Sequence, residues 1–368
     1  MLKFLRSDLA HLKAYKPHPG GDSPQQLDRL DTNESPLDLP PALKQKLSEQ
    51  WQNTLENNRY PDGSHIELKY AITDYIQSTT PGSVIGIDQI SVGNGSDELI
   101  RAVLQTTCLG EGDIFVAPPT FSMYDIVAQT LGVTVHSVAR EETSFQINLD
   151  QSQAVIEANN IRAVFMLNPN SPTGNGLSKA EIDWLRTLPD NVLVLIDEAY
   201  FEFSQQSLVS ELAQHPNWLI LRTFSKALRL AAHRVGYAIA HPELIEALEK
   251  VRLPYNLPSI SQLAAQLCLQ EKEQLLPLIS EICHERDRLY QELQSLAPLK
   301  VWPSVANFLY CRLKQPTNKF EHNGVLVDAL KDQGTLVRHT GGGIRISIGT
   351  RAENQRTLAR LRSLLTTE

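Results

Sequence analysis

Short apolar runs recur along the middle of the chain, and segments with helical spacing separate them. Each run has the length and the β-branched content of a buried strand, and they span residues 113–117, 161–167, 192–196, 218–221 and 235–240. Between them, apolar residues recur every three or four positions, as in residues 98–107, and predict helices. This alternation predicts an α/β fold with a mainly parallel sheet and helices on both of its faces.

The last third of the chain has a different pattern. A helical region covers roughly residues 259–296, and a second helix signal covers residues 324–333. Strand signals surround the second helix at residues 307–312, 336–338 and 344–348. Runs of this kind predict a smaller α+β domain.

The composition is that of a globular protein large enough for two domains. The chain has 368 residues, and 42% of them are hydrophobic. We predict a large domain at residues 41–250. The small domain is predicted to consist of residues 251–368 together with the N-terminal segment 1–40.

Charge and cysteine usage restrict the function classes. The net charge of -8 argues against nucleic acid or an anionic membrane as the main partner, although a local basic pocket is compatible with it. The four cysteines are scattered without a Cys-x-x-Cys pair, and no His-Glu-x-x-His motif occurs, so no metal site is predicted. No secretory signal or membrane-length apolar stretch is visible, so we expect a cytoplasmic protein.

Polar residues follow three of the predicted buried strands, at Asn168, Asp197 and Lys226. Ligands of open α/β sheets bind at the carboxyl ends of the strands. A lysine held there is partly desolvated, which favours the neutral amine that Schiff-base chemistry requires. A buried carboxylate is costly unless it is paired, so Asp197 is expected to have a cationic or hydrogen-bonding partner. A solvated lysine and a carboxylate held by backbone amides remain the alternatives.

Two further groups suit a phosphate. Ser225 and Arg234 flank Lys226 with a hydroxyl and a guanidinium. Gly95, Ser96 and Asp97 precede a predicted helix, where main-chain N–H groups point at any bound anion. The glycine-containing stretch is equally compatible with an ordinary turn.

The stretch from Ser225 to Arg234 resembles the lysine region of fold-type I aminotransferases that use pyridoxal phosphate (PLP), and more narrowly that of the histidinol-phosphate aminotransferase family. That family usually has Ser-Lys-Ala-Phe-Gly-Leu-Ala-Gly-Leu-Arg here, whereas this chain departs from it at Leu228, Arg229, Ala232 and His233. Further matches follow the order of the family along nearly the whole chain. They are Asn33, Tyr60, the residues from Gly95 to Glu98, Asn168, Asp197, Tyr200 and Arg345.

The resemblance implies roles around the cofactor ring. Lys226 would hold PLP covalently and later move the substrate proton, and Asp197 would pair with the pyridine nitrogen. Asn168 and Tyr200 would bond the phenolic oxygen. Phe121 would stack on the ring, although a plain core phenylalanine is nearly as compatible with its position.

The resemblance also implies contacts with phosphate, substrate and a second subunit. Tyr60, in Arg59-Tyr60-Pro61, would cross a homodimer interface to the partner's cofactor phosphate, although a turn tyrosine is the simpler interpretation. Arg345 would bind the substrate α-carboxylate and Arg338 the substrate phosphate. Asn33 would approach the substrate carboxylate, whereas its position before Pro36 also fits an Asx turn.

The function implied by the resemblance is transamination between histidinol phosphate and the glutamate/2-oxoglutarate pair in histidine biosynthesis. An aromatic or broad-specificity aminotransferase and a threonine-phosphate decarboxylase share these motifs and remain alternatives. A PLP-sensing regulatory domain is a non-enzymatic alternative, but the length and acidity leave little room for a DNA-binding module.

Overall fold

A computed structural model describes residues 4, 6, 7, 27–317 and 319–366, so residues 8–26 of the predicted N-terminal segment lie outside the described part. The α-helices of the described residues are α1 Pro41–Thr54, α2 Ile66–Thr79, α3 Ser96–Thr107, α4 Met123–Leu131, α5 Leu149–Ala158, α6 Lys179–Arg186, α7 Phe201–Ser204, α8 Pro242–Val251, α9 Ser259–Gln270, α10 Pro277–Gln294, α11 Asn323–Asp332 and α12 Arg351–Thr366. The strands are β1 Asp28–Arg29, β2 Ile90–Asn94, β3 Asp113–Val116, β4 Val135–Ser137, β5 Ile161–Leu167, β6 Leu193–Asp197, β7 Trp218–Thr223, β8 Val235–Ala240, β9 Leu299–Trp302, β10 Phe308–Leu313, β11 Thr335–Leu336, β12 Arg338–Thr340 and β13 Gly343–Ser347.

A seven-stranded sheet forms the centre of the larger part, in the order β2-β8-β7-β6-β5-β3-β4. Strands β3 to β7 are parallel to one another, whereas β8 is antiparallel to both β2 and β7. Strand β6 is buried along its whole length because alternate side chains pack on opposite faces. Val194 and Ile196 enter one core cluster, while Leu193 and Leu195 enter another. This confirms the predicted α/β class with helices on both faces.

The smaller part contains an antiparallel sheet in the order β12-β13-β10-β9. Leu289 and Leu293 of α10 share its core with Phe308 and Ile344. The N-terminal strand β1 pairs in parallel with β11, and the adjoining Leu30 enters the same core. The predicted α+β character of this part is therefore confirmed.

The helical region predicted at 259–296 is divided into α9 and α10 by a short 3-10 turn, Lys272–Gln274, and Pro277 begins the second helix. Side chains of α9, such as Ala264 and Leu267, belong to the core of the seven-stranded sheet. Side chains of α10 belong mainly to the core of the smaller part. The domain boundaries at residues 41 and 250 stay a prediction.

Candidate active site

The ends of β5, β6 and β7 lie side by side at one edge of the seven-stranded sheet because these strands are parallel neighbours. Their ends deliver Leu167, Asp197 and Thr223 to one cavity, and Lys226 follows the last of them. The same cavity is lined by Ser96, Asp97, Phe121, Ala199, Tyr200, Ser225 and Arg234. Most of the residues predicted to bind the cofactor ring and phosphate therefore meet around one space.

Lys226 reaches into this cavity from the loop after β7. Its Nζ donates to the carbonyl oxygen of Thr32 at 2.8 Å and lies 6.0 Å from the ring centroid of Tyr200. Desolvation lowers the pKa of Lys226, and the positive charges of Arg345 and Arg234 act in the same direction. These surroundings favour the neutral, nucleophilic amine.

Asp197 is 2% exposed at the end of β6. Its Oδ2 accepts a hydrogen bond from the Tyr124 hydroxyl at 3.0 Å, and its Oδ1 accepts one from the Ala199 backbone N–H at 3.0 Å. Burial raises the pKa of Asp197 to about 7. Within the described part of the chain, no lysine, arginine or histidine forms an ion pair with this carboxylate.

The chain directly after Asp197 is fixed by a buried ion pair. Arg222 donates from Nε and Nη2 to Oε2 of Glu198 at 3.0 and 2.9 Å, and both side chains are 1% exposed or less. Glu198 also accepts the backbone N–H of Leu208 at 2.6 Å. These bonds hold the segment that carries Asp197 and Tyr200.

An anion cup lies at the start of α3. Gly95 has φ 77 and ψ 167, a backbone region essentially restricted to glycine, and Ser96 begins the helix. The Arg234 guanidinium faces this turn and lies 3.5 Å from Asp97 Oδ2 and 3.4 Å from Ser225 Oγ. A Cβ on Gly95 would lie 2.5 Å from Arg234 Nη2 and would displace the guanidinium, and the positive φ itself favours glycine.

Asn168 and Tyr200 have well-defined hydrogen-bonding roles. The side-chain oxygen of Asn168 accepts the backbone N–H of Leu177 at 3.0 Å, which leaves its NH2 group as the donor. The Tyr200 hydroxyl accepts from Asn33 Nδ2 at 2.9 Å, so its own proton is directed elsewhere.

Asn33 is fully buried, and its contacts differ from the predicted one. Its Oδ1 accepts from the Ser347 hydroxyl at 2.9 Å, and its Nδ2 is the donor to Tyr200. Asn33 is not among the residues that line the cavity, so this geometry makes it a support for Tyr200. A direct contact with substrate stays a prediction.

A second opening continues from the cavity towards the smaller part, and Phe121, Tyr200 and Lys226 line both spaces. Arg338 and Arg345 reach the second opening from β12 and β13. Arg345 donates from Nη1 to the Ser171 hydroxyl at 3.0 Å and from Nη2 to the Asp31 carbonyl at 2.6 Å. The two arginines make this end of the site suitable for an anionic substrate.

Tyr60 lies apart from these residues. Its side chain is 81% exposed and stacks on Tyr255, with ring centroids 4.6 Å apart. It does not line either opening of the site formed by the described residues. Near it, a surface groove is lined by Trp51, Pro61 and Ile260.

Two of the four departures in the lysine region, Arg229 and Leu228, have identifiable contacts in the structure. Arg229 has φ 58, a left-handed conformation at a position where the family usually has glycine. Its guanidinium donates to the carbonyl oxygens of Asp38 at 3.1 Å and Leu275 at 3.3 Å. Leu228 is fully buried in the core of the large sheet. None of the four departing residues is among those that line the cavity.

Three contact residues were not predicted from the sequence, namely Thr32, Ser171 and Tyr124. Thr32 acts through its main-chain oxygen, for which the side-chain type carries no signal. Tyr124 stands three positions after Phe121, in the first turn of α4, and its ring centroid lies 5.5 Å from that of Phe121 at an interplanar angle of 88°. That spacing is the signal that could have identified it.

No cluster of three or more histidine, cysteine, aspartate or glutamate side chains suited to a metal occurs among the residues whose structure is described. In the same residues, no helix is long and apolar enough to cross a membrane.

The fold and the site together define the class. The aminotransferase class I and II family profile matches residues 26–361, which is most of the chain, so the chain belongs to that family. A histidinol-phosphate aminotransferase of Trichodesmium erythraeum is 56% identical over 375 residues, covering 99% of this chain and 100% of the relative. One of Thermosynechococcus vestitus is 54% identical, covering 99% and 98%. Within the class, the chain therefore belongs to the histidinol-phosphate aminotransferase family.

Solved structures share the fold at lower identity. A histidinol-phosphate aminotransferase from Clostridium acetobutylicum has a TM-score of 0.80 at 23% identity, covering 92% of this chain and 99% of that chain. The enzyme from Sinorhizobium meliloti, solved with pyridoxal-5'-phosphate, has a TM-score of 0.80 at 22% identity, covering 92% of each chain. An L-threonine-O-3-phosphate decarboxylase from Porphyromonas gingivalis reaches 0.77 at 19% identity, covering 93% of this chain and 100% of that chain. At this identity, such likenesses show the fold alone.

Proposed function

We propose that this chain is a PLP-dependent transaminase that transfers an amino group between histidinol phosphate and 2-oxoglutarate in histidine biosynthesis. Membership of the histidinol-phosphate aminotransferase family supports the cofactor and the reaction. In the site, the observation that carries the proposal is that Lys226, Asp197 and the anion cup line one cavity. We also propose that the enzyme acts in the cytoplasm.

The residues fit PLP on two grounds. The anion cup combines the N-terminus of the 12-residue helix α3 with Ser225 and Arg234, which suits a phosphate dianion. Its backbone leaves room where a Cβ on Gly95 would collide with Arg234. On the other side, Asp197 is a buried carboxylate without an ion-pair partner among the described residues, and a protonated ring nitrogen would supply one.

When bound, PLP supplies an aldehyde carbon for amines and an aromatic ring that withdraws electrons from the substrate's α carbon. Asp197 would accept the hydrogen bond of the ring nitrogen and would keep that nitrogen protonated. Asn168 and Tyr200 would donate to the phenolic oxygen, since their remaining hydrogen-bonding capacity is that of donors. Lys226 Nζ removes the proton from the substrate α carbon and returns a proton at the end of the transfer.

Arg345 and Arg338 are proposed to select the substrates. Glutamate carries a carboxylate on the carbon that bears the amine, whereas histidinol phosphate carries a phosphate one methylene further out. An arginine can form two parallel hydrogen bonds with either anion. We therefore expect Arg345→Lys to raise the KM for both amino substrates, and Arg338→Lys to raise mainly the KM for the phosphorylated one.

A panel of amino donors tests the reaction. Purified enzyme is supplied with 2-oxoglutarate and either histidinol phosphate, tyrosine, phenylalanine or threonine phosphate, and the products are identified by mass spectrometry. We expect glutamate and imidazole acetol phosphate to form fastest, and Lys226→Ala to form neither. Faster turnover of an aromatic amino acid, or release of carbon dioxide from threonine phosphate, would replace this assignment.

We further propose that the working unit is a homodimer in which Tyr60 reaches the partner's phosphate cup. The support is its 81% exposure beside Tyr255 and the nearby groove lined by Trp51. A large exposed aromatic group of this kind is typical of an interface. A hydrogen bond to a charged phosphate contributes about 1.5–3 kcal/mol, so Tyr60→Phe should weaken PLP binding about tenfold or more.

A mixed dimer tests the crossing. One chain carries Tyr60→Phe, and the other carries Lys226→Ala with Tyr60 intact. If the tyrosine crosses, the only site with Lys226 receives the intact tyrosine and regains wild-type affinity for PLP. If its affinity equals that of the Tyr60→Phe homodimer, the tyrosine acts within its own chain. Sedimentation of the wild type must also give a dimer.

A further inference from the structure

The hydroxyl of Tyr124 lies behind the carboxylate of Asp197. It donates to Oδ2 at 3.0 Å, and the Ala199 N–H donates to Oδ1 at 3.0 Å. Each carboxylate oxygen therefore has one neutral donor from the protein. Tyr124 supplies the donor that comes from a different element of the fold, the helix α4.

Packing fixes the Tyr124 ring. The side chain is fully buried, its ring lies 5.1 Å from that of Phe165, and Phe121 meets it edge to face at 5.5 Å. Burial raises the pKa of Tyr124 well above its usual range, so the phenol stays protonated and remains a donor. The hydroxyl has no alternative position in water, and one ring contacts both Asp197 and the phenylalanine predicted to stack on the cofactor.

We propose that Tyr124 is a positioning residue of the proposed transaminase, whose hydroxyl orients the Asp197 carboxylate and keeps it ionised. This inference rests on the proposed function for its catalytic consequence but not for the hydrogen bond itself. A carboxylate aimed by a fixed donor presents its charge in one direction. The same ring supports Phe121, so Tyr124 links the two groups that would hold the cofactor ring from its edge and its face.

Other charges near Asp197 explain why such a donor is needed. Asp97 from α3 and Glu198, which directly follows Asp197, both disfavour a negative charge on Asp197. Lys226 and Arg234 line the same cavity but form no ion pair with Asp197 among the described residues. The hydrogen bond from Tyr124 lowers the pKa of Asp197 and so opposes the effect of its desolvation.

The chain contains a matched control. The hydroxyl of Tyr75 donates to Oε1 of Glu202 at 3.1 Å, and both side chains are at most 4% exposed. Tyr75→Phe therefore removes a buried bond between tyrosine and carboxylate of the same type, away from the residues that line the cavity. Burial raises the pKa of Glu202 to about 7, which matches Asp197.

The first measurement uses the full chain without cofactor. Infrared spectra of protein with 13C-labelled aspartate or glutamate are recorded against pH, and Asp197→Asn identifies the Asp197 band. Tyr124→Phe should raise the pKa of Asp197 by about one to two units, because a hydrogen bond to a charged group is lost. Tyr75→Phe should leave Asp197 unchanged and raise the pKa of Glu202. An unchanged Asp197 in Tyr124→Phe overturns the proposal.

A second arm does not require the Phe variant to fold. Replacing Tyr124 alone with the more acidic 3-fluorotyrosine strengthens the bond that this residue donates, in an otherwise wild-type chain. The pKa of Asp197 should then fall. No shift in that sample rejects the role of Tyr124.

The third readout is the pH profile of the loaded enzyme. Tyr124→Phe should reduce kcat most at acidic pH and progressively less as the pH rises, since Asp197 is protonated more readily. Tyr75→Phe should follow the wild-type profile, and a uniform loss in Tyr124→Phe would indicate a merely structural role. If the wild type fails to transaminate histidinol phosphate, the cofactor-free titration still tests Tyr124, so the two failures are distinguishable.

Discussion

Replacing Asp197 with asparagine should stabilise the cofactor-free protein while it abolishes transamination. The substitution keeps the size and one hydrogen-bond acceptor but removes the charge. In the wild type that charge is buried at 2% exposure without an ion-pair partner among the described residues. The same property that makes Asp197 ready for a ring cation is therefore a cost when no cation is present.

The size of this cost follows from the pKa of Asp197, which burial raises from 3.8 to about 7. Because folding raises this pKa, the free energy of unfolding of the wild type has its full value below the lower pKa. It falls as the pH rises towards the upper pKa, because the unfolded chain loses its proton first. Between pH 5 and pH 8, the free energy of unfolding falls by an amount that corresponds to about two pKa units. At about 1.4 kcal/mol for each unit, it is about 3 kcal/mol.

Urea unfolding of the cofactor-free wild type and Asp197→Asn at both pH values measures this difference. Protein concentration must be held constant, because assembly changes apparent stability. The advantage of the variant should grow by about 3 kcal/mol from pH 5 to pH 8. An advantage that is equal at the two pH values would refute the reasoning. Asp183→Asn, at an exposed surface carboxylate, serves as the control and should not reproduce this growth.

Three further substitutions test other parts of the site. Gly95→Ala should weaken PLP binding about tenfold or more in fluorescence titrations, because strain of about 1–3 kcal/mol adds to a steric clash. Gly110→Ala, at a positive φ with open space, should not weaken it. Arg345→Lys should raise the KM for glutamate about tenfold with a smaller change in kcat, and a loss in kcat alone would contradict its binding role. Arg222→Met should lower the free energy of unfolding by about 3–5 kcal/mol because it leaves a buried carboxylate unpaired. Arg186→Met, at an exposed ion pair, should lower the free energy of unfolding far less in the same measurement.

The sequence predicts the central strands well because they are continuous apolar runs that no exposed element would contain. Strands β5 and β8 have the predicted bounds, and β6 differs by a single position at each end. Helix α2 was not predicted, although its buried side chains Leu68, Ile72 and Ile76 follow helical spacing. The antiparallel position of β8 between β2 and β7 could not be read from the chain, because pairing partners are set by tertiary packing.

Some residues of the candidate site could be predicted from the sequence, and others could not. Asp197 and Lys226 could be predicted because each polar residue follows an apolar strand, where ligands of such sheets bind. The role of Asn33 could not, because it depends on the proximity of Ser347 and Tyr200, both distant in the chain. The Thr32 carbonyl is a backbone contact, which has no residue signature. Whether Tyr60 contacts a site of the partner stays a prediction.

The contact between Arg345 and the Asp31 carbonyl joins positions 314 residues apart. During synthesis, every strand of the seven-stranded sheet has left the ribosome once Ala240 has emerged, whereas Arg345 follows much later. The nascent chain therefore contains the lysine, the aspartate and the cup before it contains either substrate-side arginine. The residues proposed to hold the cofactor and the arginines proposed to select the substrate therefore leave the ribosome at different times, in that order.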